Sequence, residues 1–227
     1  SVQLGNYPGK YNVMGAVSYI TGSHSVKVGV QDAWGPYKRW NTANADLYQV
    51  YNGGVPLQVT VLNTPLQTGE YLDANLGVYA QDSWRVNRFT INAGLRWDYV
   101  RQRVLGEPAQ FGRFAQSVAY DDIYLPTWTS LSPRTSVVYD LFGDGKTALR
   151  VGFNRYETAA TTGFAQPYNP TALTTANLSW TDLNRDDIAE GERGCVYLTP
   201  GCEINFGQLA SNFGVRRNRE FLPSAAT

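Results

Sequence analysis

Three oxygen-bearing side chains recur at every second position near the C-terminal end of the chain: Asp182, Asn184 and Asp186. Oxygen ligands at alternate positions begin the loop with which an EF-hand binds Ca²⁺. Such a loop needs glycine at its sixth position, where this segment has Asp187. The sequence therefore predicts either a calcium site at these three side chains or a solvated acidic surface loop, and it indicates no other cofactor.

No group of side chains has the composition of a catalytic site. His24 is the only histidine, and it lies in a predicted tight turn beside Gly22 and Ser23, so a Ser-His-Asp arrangement has no obvious way to assemble. Two pairs of adjacent carboxylates, at 121–122 and 186–187, lie in predicted loops, where solvated acids are expected. We therefore expect that the protein is not an enzyme.

The two cysteines, Cys195 and Cys202, lie close together, with Pro200 and Gly201 between them. In a secreted chain this spacing predicts a small loop closed by a disulfide. A metal site is a poorer interpretation, because the chain has no further cysteine and its only histidine is distant in sequence. We therefore expect a Cys195–Cys202 disulfide.

The composition limits the class of protein. Charged residues make up 17% of the chain, below the roughly 25% usual in soluble domains. Lys+Arg and Asp+Glu both number 19, so no basic excess supports a nucleic-acid partner. No run approaches the ~20 apolar residues of a transmembrane helix. This excludes a helical membrane protein but not a membrane β-barrel, whose strands alternate between apolar and polar residues.

That alternation is the main pattern of the chain, and it defines the elements that position the side chains. In RFTINAGLRWDY the apolar set is Phe89, Ile91, Ala93, Leu95, Trp97 and Tyr99. A strand places this set on one face and the polar residues between them on the other, whereas a helix would mix the two sets. The segment LDANLGVYAQDSW before it has the same period.

Four pairs of alternating segments are joined by short links, which predict hairpins. The links lie at 21–24, 52–55, 85–88 and 143–146, and the last contains Asp-Gly, a strong hairpin signal. The weakest pair runs from Ala45 to Val61. Together the segments predict about eight antiparallel strands.

Long connections alternate with these short ones, near 35–44, 63–71 and 102–131 and after residue 157. An up-and-down membrane barrel has this asymmetry, with short periplasmic turns and long extracellular loops. Aromatic residues near the predicted strand ends could meet lipid headgroups. They are Tyr19, Trp34, Trp84, Trp97, Tyr99 and Tyr156.

An apolar stripe across many strands must be covered by lipid or by a second layer, and no helical segment offers a second layer. We therefore expect the apolar side to face lipid and the polar side to line a wet lumen. The predicted lipid-facing residues are Leu76, Val78, Ile91, Leu95, Val151 and Phe153. The predicted lumen-facing residues are Lys27, Gln31, Asn92, Arg96, Asp98, Arg150 and Asn154.

Three stretches resemble a known family. GVYAQDSWRVNRFTINAGLRWDY (77–99) resembles the strand–turn–strand signature of TonB-dependent outer-membrane receptors. LSPRTSVVYDLFGDGKTALRVGFNRY (131–156) resembles the following hairpin in the Oar-like branch, whose members carry a carboxypeptidase regulatory domain. WTDLNRDD (180–187), with the cysteines and Asn-Phe-Gly at 205–207, resembles a long extracellular loop of that branch.

The resemblance implies a barrel of about twenty-two strands with an N-terminal plug inside it. The sequence shows neither a plug nor an energy-coupling box, and it does not end on a strand with a terminal aromatic residue. We therefore expect an internal segment of a longer protein, with a sheet that stays open.

Together these features predict an all-β fold: an antiparallel up-and-down meander that forms a partial, open transmembrane β-barrel of about eight strands. Residues 1–156 would form the barrel wall, and residues 157–227 a long C-terminal extracellular loop. The expected location is the outer membrane of a Gram-negative bacterium.

The expected role is that of a barrel segment of a TonB-dependent receptor for energised uptake of a scarce solute. Its partners would be outer-membrane lipid, an extracellular solute, and the TonB complex reached through N-terminal parts outside this chain. Two alternatives remain: a soluble β-sandwich that binds carbohydrate, and a small complete outer-membrane barrel.

Overall fold

The computed structural model describes residues 2–157 and 161–215. Ser1, residues 158–160 and residues 216–227, which belong to the predicted wall and loop, lie outside the described residues. In chain order the strands are β1 (Val2–Pro8), β2 (Tyr11–Thr21), β3 (His24–Ala43), β4 (Leu47–Asn52), β5 (Val55–Leu62), β6 (Leu66–Val86), β7 (Phe89–Val104), β8 (Ile123–Tyr124), β9 (Trp128–Asp140), β10 (Ala148–Asn154) and β11 (Thr175–Ser179). Short 3₁₀-helices occupy Asn44–Asp46, Thr162–Phe164, Gln166–Tyr168 and Phe206–Gln208. Among the residues that the structure describes, no helix has the length and hydrophobicity needed to span a bilayer.

Eight strands form one antiparallel sheet, here called the wall sheet. Its order is β1/β2–β3–β6–β7–β9–β10, with the short β8 paired to β7. The sheet is an up-and-down meander curled as half of a barrel. The prediction of an all-β meander of about eight strands is confirmed. In the described part of the chain the sheet is open, because β1/β2 and β10 each pair on one side only and do not pair with each other.

The strands β1 and β2 lie end to end along β3 and together act as one long strand with a joint at Gly9. The Gly9 amide donates to the Pro36 carbonyl at 2.8 Å. Opposite the joint, Gly35 has a φ of +144°, and a Cβ there would lie 2.1 Å from the Gly9 carbonyl oxygen. Glycine is therefore required at position 35, and the long strand pairs with β3 on both sides of the joint.

The strands β3 and β6 are 20 and 21 residues long. A tilted strand needs only ~9–11 residues to cross a bilayer, so both are long enough to extend beyond one. The predicted loops at 35–44 and 63–71 are therefore mostly strand, and that prediction is wrong. The ladder between β3 and β6 continues from Gly35↔Leu72 to Asn41↔Leu66, which satisfies backbone groups that a loop would leave to water.

The hairpin of β4 and β5 forms as predicted around Gly53-Gly54, but its predicted place in the barrel wall is wrong. It belongs to a second, three-stranded sheet with the order β11–β5–β4. The reason is burial: Val59 and Val61 on β5 have no exposed surface and pack against residues after 160. A wall strand would instead leave one face open to lipid.

Three tight connections lie at one end of the wall sheet, at 22–23, 87–88 and 141–147. In the third, the Asp140 carboxylate accepts hydrogen bonds from the amides of Gly143 at 2.8 Å and Gly145 at 2.9 Å. Both glycines have positive φ, as a tight turn between neighbouring strands requires. The long connections, 44–65, 105–127 and the chain after 154, all leave from the opposite end.

Candidate functional site

One face of the wall sheet is apolar. The register pairs Val78 with Trp97 and Ile91 with Val137, which in turn pairs with Val151, so these side chains share a face. All six residues that were predicted to face lipid lie on it: Leu76, Val78, Ile91, Leu95, Val151 and Phe153. In the described part of the chain no second sheet packs on this face, and the buried clusters lie elsewhere. The alternative of a soluble β-sandwich is therefore wrong.

Aromatic side chains border this apolar face at two levels. Trp84 lies beside the tight turns, whereas Tyr11 and Trp34 stack at 6.0 Å between ring centroids towards the opposite end. Trp97 and Tyr99 lie 6.1 Å apart at that same end. From the level of Trp84 to that of Tyr99 there are about eight residues of strand, roughly 26 Å at ~3.3 Å per residue. At a strand tilt of ~40° this is about 20 Å of height, which is comparable with the ~25 Å apolar band of an outer-membrane barrel.

The opposite face of the wall sheet is polar. It carries all seven residues that were predicted to face a lumen: Lys27, Gln31, Asn92, Arg96, Asp98, Arg150 and Asn154. Arg96 and Asp98 form an ion pair on this face, with Nη2 2.7 Å from Oδ1. Gly77 on the neighbouring strand makes room for it, because a Cβ there would lie 1.9 Å from Arg96 Nη2.

Two aromatic or basic side chains differ from their predicted surroundings. Tyr156 was expected near lipid headgroups, but the guanidinium of the polar-face residue Arg134 lies 4.8 Å from its ring centroid. Tyr156 therefore belongs with the polar face.

His24 begins β3, stacks on Trp84 at 5.4 Å and contacts Asp82 through Nδ1 at 2.6 Å. It is thus a partnered strand residue rather than an isolated turn residue.

A segment of the chain, residues 161–171, crosses the polar face near the loop end and is here called the strap. Phe164 meets Trp128 edge to face at 4.5 Å between ring centroids. Ala165 is fully buried among apolar residues that include Val104. Asn169 donates to the buried Glu70 carboxylate at 3.2 Å. Both apolar and polar contacts therefore hold the strap against the wall sheet.

Between the strap and the Arg96–Asp98 pair lies a cleft in the polar face, here called the cleft. Its hydrogen-bonding lining includes Gln31, Gln102, Ser130 and Ser132, which all lie on the polar face. Trp128 and Phe164 form its aromatic wall. The strands β3, β7 and β9 thus place polar side chains on one side of a concavity that the strap borders on the other.

The long connections fold together into a unit here called the cap, which consists of residues 44–65, 105–127 and 175–215. Its largest buried cluster combines all three segments: Val59, Val61, Phe114, Leu178, Trp180, Ala189, Ile204, Leu209 and Phe213. The loops therefore have a hydrophobic core of their own, separate from the apolar face of the wall sheet.

Polar contacts tie the segments of the cap to one another. The Arg113 amide donates to Asp46 at 2.7 Å, and its guanidinium donates to the Gly191 carbonyl at 2.7 Å and to Glu192 at 3.0 Å. The buried carboxylate of Glu203 accepts from Trp180 Nε1 at 3.3 Å and from the Leu183 amide at 2.7 Å. These bonds satisfy buried groups that would otherwise destabilise the cap.

The disulfide between Cys195 and Cys202 lies in the cap, with 5.9 Å between the two Cα atoms. The ring it closes also contains a hydrogen-bonded turn, in which the Cys202 amide donates to the Thr199 carbonyl at 2.8 Å. The Leu198 amide donates to the Cys202 carbonyl at 3.0 Å. The crosslink therefore holds a short turn against the cap core.

The three candidate calcium ligands face their own backbone. Asp182 accepts from the amides of Arg185 at 2.7 Å and Asp187 at 3.1 Å. Asn184 accepts from the Asp186 amide at 3.0 Å. Within the described residues no three His, Cys, Asp or Glu side chains are grouped as a metal site. Calcium binding by Asp182, Asn184 and Asp186 therefore stays a prediction without preformed geometry.

Charge in this acidic loop affects a neighbouring phenol. Partial desolvation, together with the negative charges of Asp187 and Asp182, raises the pKa of Tyr51. The Tyr51 ring also meets Trp180 edge to face at 5.4 Å. The acidic loop is thus in contact with the cap core through Tyr51.

Comparison with known families agrees with this geometry. The family model described as an outer membrane beta barrel domain matches residues 2–190, which is most of the chain. The chain belongs to the outer membrane beta barrel domain family. No curated protein and no solved structure matches it.

As an outer membrane beta barrel domain, the chain resides in the outer membrane of Gram-negative bacteria. Barrels in this membrane have short periplasmic turns and longer extracellular loops. By this rule we expect the tight connections at 22–23, 87–88 and 141–147 on the periplasmic side and the cap outside the cell. The family match ends at residue 190, so the disulfide lies beyond the part of this barrel domain that the family model describes.

Sequence analysis missed an ion pair of this barrel domain between Arg39 and the fully buried Glu70. Both residues were assigned to loops. A signal was present, since the alternation of β3 continues past Gly35 with Tyr37 and Arg39 on the polar face. A proline and a glycine at 35–36 masked it, because that dipeptide usually marks a turn.

Proposed function

We propose that this barrel domain is the wall of a TonB-dependent receptor, of the Oar-like branch, which takes up a scarce solute with energy from the inner membrane. One observation carries the proposal. The segment that resembles the receptor signature, 77–99, folds as one hairpin of β6 and β7 in continuous register from Gly77↔Asp98 to Val86↔Phe89. The Oar-like segment, 131–156, supports the same view because it forms the hairpin of β9 and β10.

Each region has a role under this proposal. The apolar face contacts outer-membrane lipid, and the polar face lines a lumen or contacts a plug. The cap contacts an extracellular solute, because it is the part of the molecule furthest from the tight turns. The TonB complex is reached through a segment outside these 227 residues. The role requires no nucleic acid, and it is not enzymatic, since transport breaks no bond in the solute.

Binding to TonB tests the proposal without knowledge of the solute. The full-length outer-membrane protein, purified in detergent, is titrated with the periplasmic domain of TonB in a calorimeter. We expect saturable binding, and we expect uptake of solutes from a complex medium to stop when a protonophore removes the energy source. Absence of TonB binding together with protonophore-insensitive uptake would contradict the proposal and point to a passive channel.

A further inference from the structure

The cleft beneath the strap has the chemistry of a saccharide site. We propose that it binds a neutral saccharide, an inference that rests on the proposed function because it names the solute class of that uptake. The case depends on three properties of the cleft: paired charges, unpartnered buried polar atoms and an aromatic wall.

The charged groups around the cleft are mostly neutralised by one another. Arg96 pairs with Asp98 at 2.7 Å, and Arg155 pairs with Glu157 at 2.8 Å. Arg134 lies at the lower rim, with its guanidinium over the ring of Tyr156. A site for a phosphate or an anionic chelate would present several free cations, as bidentate recognition of such groups requires. The cleft therefore favours a neutral solute.

Two lining residues offer hydrogen-bonding atoms that have no partner in the described part of the chain. Gln102 is 2% exposed and Ser132 is 1% exposed. Gln102 Oε1 and Ser132 Oγ are buried without a hydrogen bond. A buried polar atom without a partner destabilises a fold unless a ligand or water supplies one, so these atoms favour a solute rich in hydroxyl groups.

The aromatic wall supplies the apolar contact surface that saccharide recognition requires in addition to hydrogen bonds. Trp128 is half-buried and is held by Phe164 of the strap, which fixes the orientation of its ring. A sugar ring presents an apolar C–H face, which packs on an aromatic face, and a rim of hydroxyls, which bond to polar side chains. A lipid tail would match the wall but leave the polar lining unpaired.

The test uses the full-length protein in detergent on an array of neutral and acidic oligosaccharides, followed by calorimetry with the best neutral sugar. We expect neutral sugars to bind. Trp128→Ala should weaken that binding roughly tenfold or more, and Ser132→Ala about two- to tenfold. The matched control is Ser18→Ala, on the same polar face beside Lys27 but outside the cleft, which should leave affinity unchanged.

Folding of each variant is checked by the shift in gel mobility on heating, and Trp128→Phe serves as a conservative variant that should retain most of the affinity. Binding of acidic sugars alone, no binding of neutral sugars, or equal effects of Ser132→Ala and Ser18→Ala would each overturn the inference. TonB binding is measured in the same preparations. If TonB binding persists without saccharide binding, the saccharide inference fails and the proposed function stands. If saccharide binding occurs without TonB binding, the saccharide site stands and the proposed function fails.

Discussion

In the wall sheet Leu95 is 48% exposed and Phe153 is 68% exposed, whereas Val59 and Ile204 in the cap have no exposed surface. The same apolar residue types thus meet two different environments within one chain. The cap buries them in a core of its own, as a water-facing domain does. The wall sheet leaves them for lipid to cover. The wall and the cap should therefore respond differently to substitutions of similar size.

The largest effect should follow removal of a ring from the cap core. Phe114→Ala should cost roughly 3–5 kcal/mol of local stability, because the buried ring leaves a cavity. Hydrogen exchange of β5 and β11 in the full-length protein should increase while that of β6 and β7 stays constant.

The matched control is Phe142→Ala in the periplasmic turn, where the ring is 70% exposed and its loss should change little. If exchange in the wall sheet rises together with exchange in the cap after Phe114→Ala, the two regions are not stabilised independently.

A charge on the lipid side of the wall comes next in size. Leu95→Arg should cost ~2–4 kcal/mol in a protein folded into a bilayer, because the guanidinium would lie in hydrocarbon. Urea titration in lipid vesicles measures the change. Gln81→Arg is the control, since Gln81 pairs with Gly94 on the polar face at nearly the same depth. Equal costs for the two variants would contradict the assignment of the two sides, and a larger cost for Gln81→Arg would exchange them.

Removal of the disulfide should have a smaller and local effect. Replacing both Cys195 and Cys202 with serine should cost about 2–2.5 kcal/mol, because a short ring removes little entropy from the unfolded chain. Hydrogen exchange should increase in the cap near the turn that the bond closes. In the unreduced full-length protein neither cysteine should react with a thiol reagent, and prompt labelling of both would contradict the crosslink.

The smallest effect should be a pH-dependent one in the cap. Burial raises the pKa of Glu107, with Lys38 opposing the shift. A carboxyl whose pKa is raised in the folded state favours folding when protonated, and this contribution is lost as pH rises through the folded pKa. Glu107→Gln should therefore stabilise the cap at pH ~7–8, and the difference from the parent protein should vanish at pH values well below the ordinary pKa of a glutamate.

Hydrogen exchange of residues near Glu107 at the two pH values measures the difference. A stabilisation that is equal at both pH values would show that packing, and not ionisation, distinguishes glutamine from glutamate at this position.

Local patterns predicted the wall sheet well. The alternation in 74–84 and 89–99 separated two faces, and the Asp-Gly signal at 144–145 marked a turn, because both depend on residues close in sequence. The candidate site was predicted less completely. Gln102 and Ser132 were not singled out, because the local sequence does not distinguish a polar side chain that faces water from one that lines a cleft.

By itself the sequence determined the class of fold and the two faces of the wall strands next to the tight turns. Only the tertiary structure decided where the hairpin of β4 and β5 belongs. Its partner β11 is far away in the chain, and the two strands are joined by contacts such as the hydrogen bond that Thr60 donates to Asn177 at 2.8 Å. The residue pattern of neither segment indicates this pairing. Side-chain period is a property of one strand, whereas the choice of neighbour depends on which surfaces bury each other after the loops have folded.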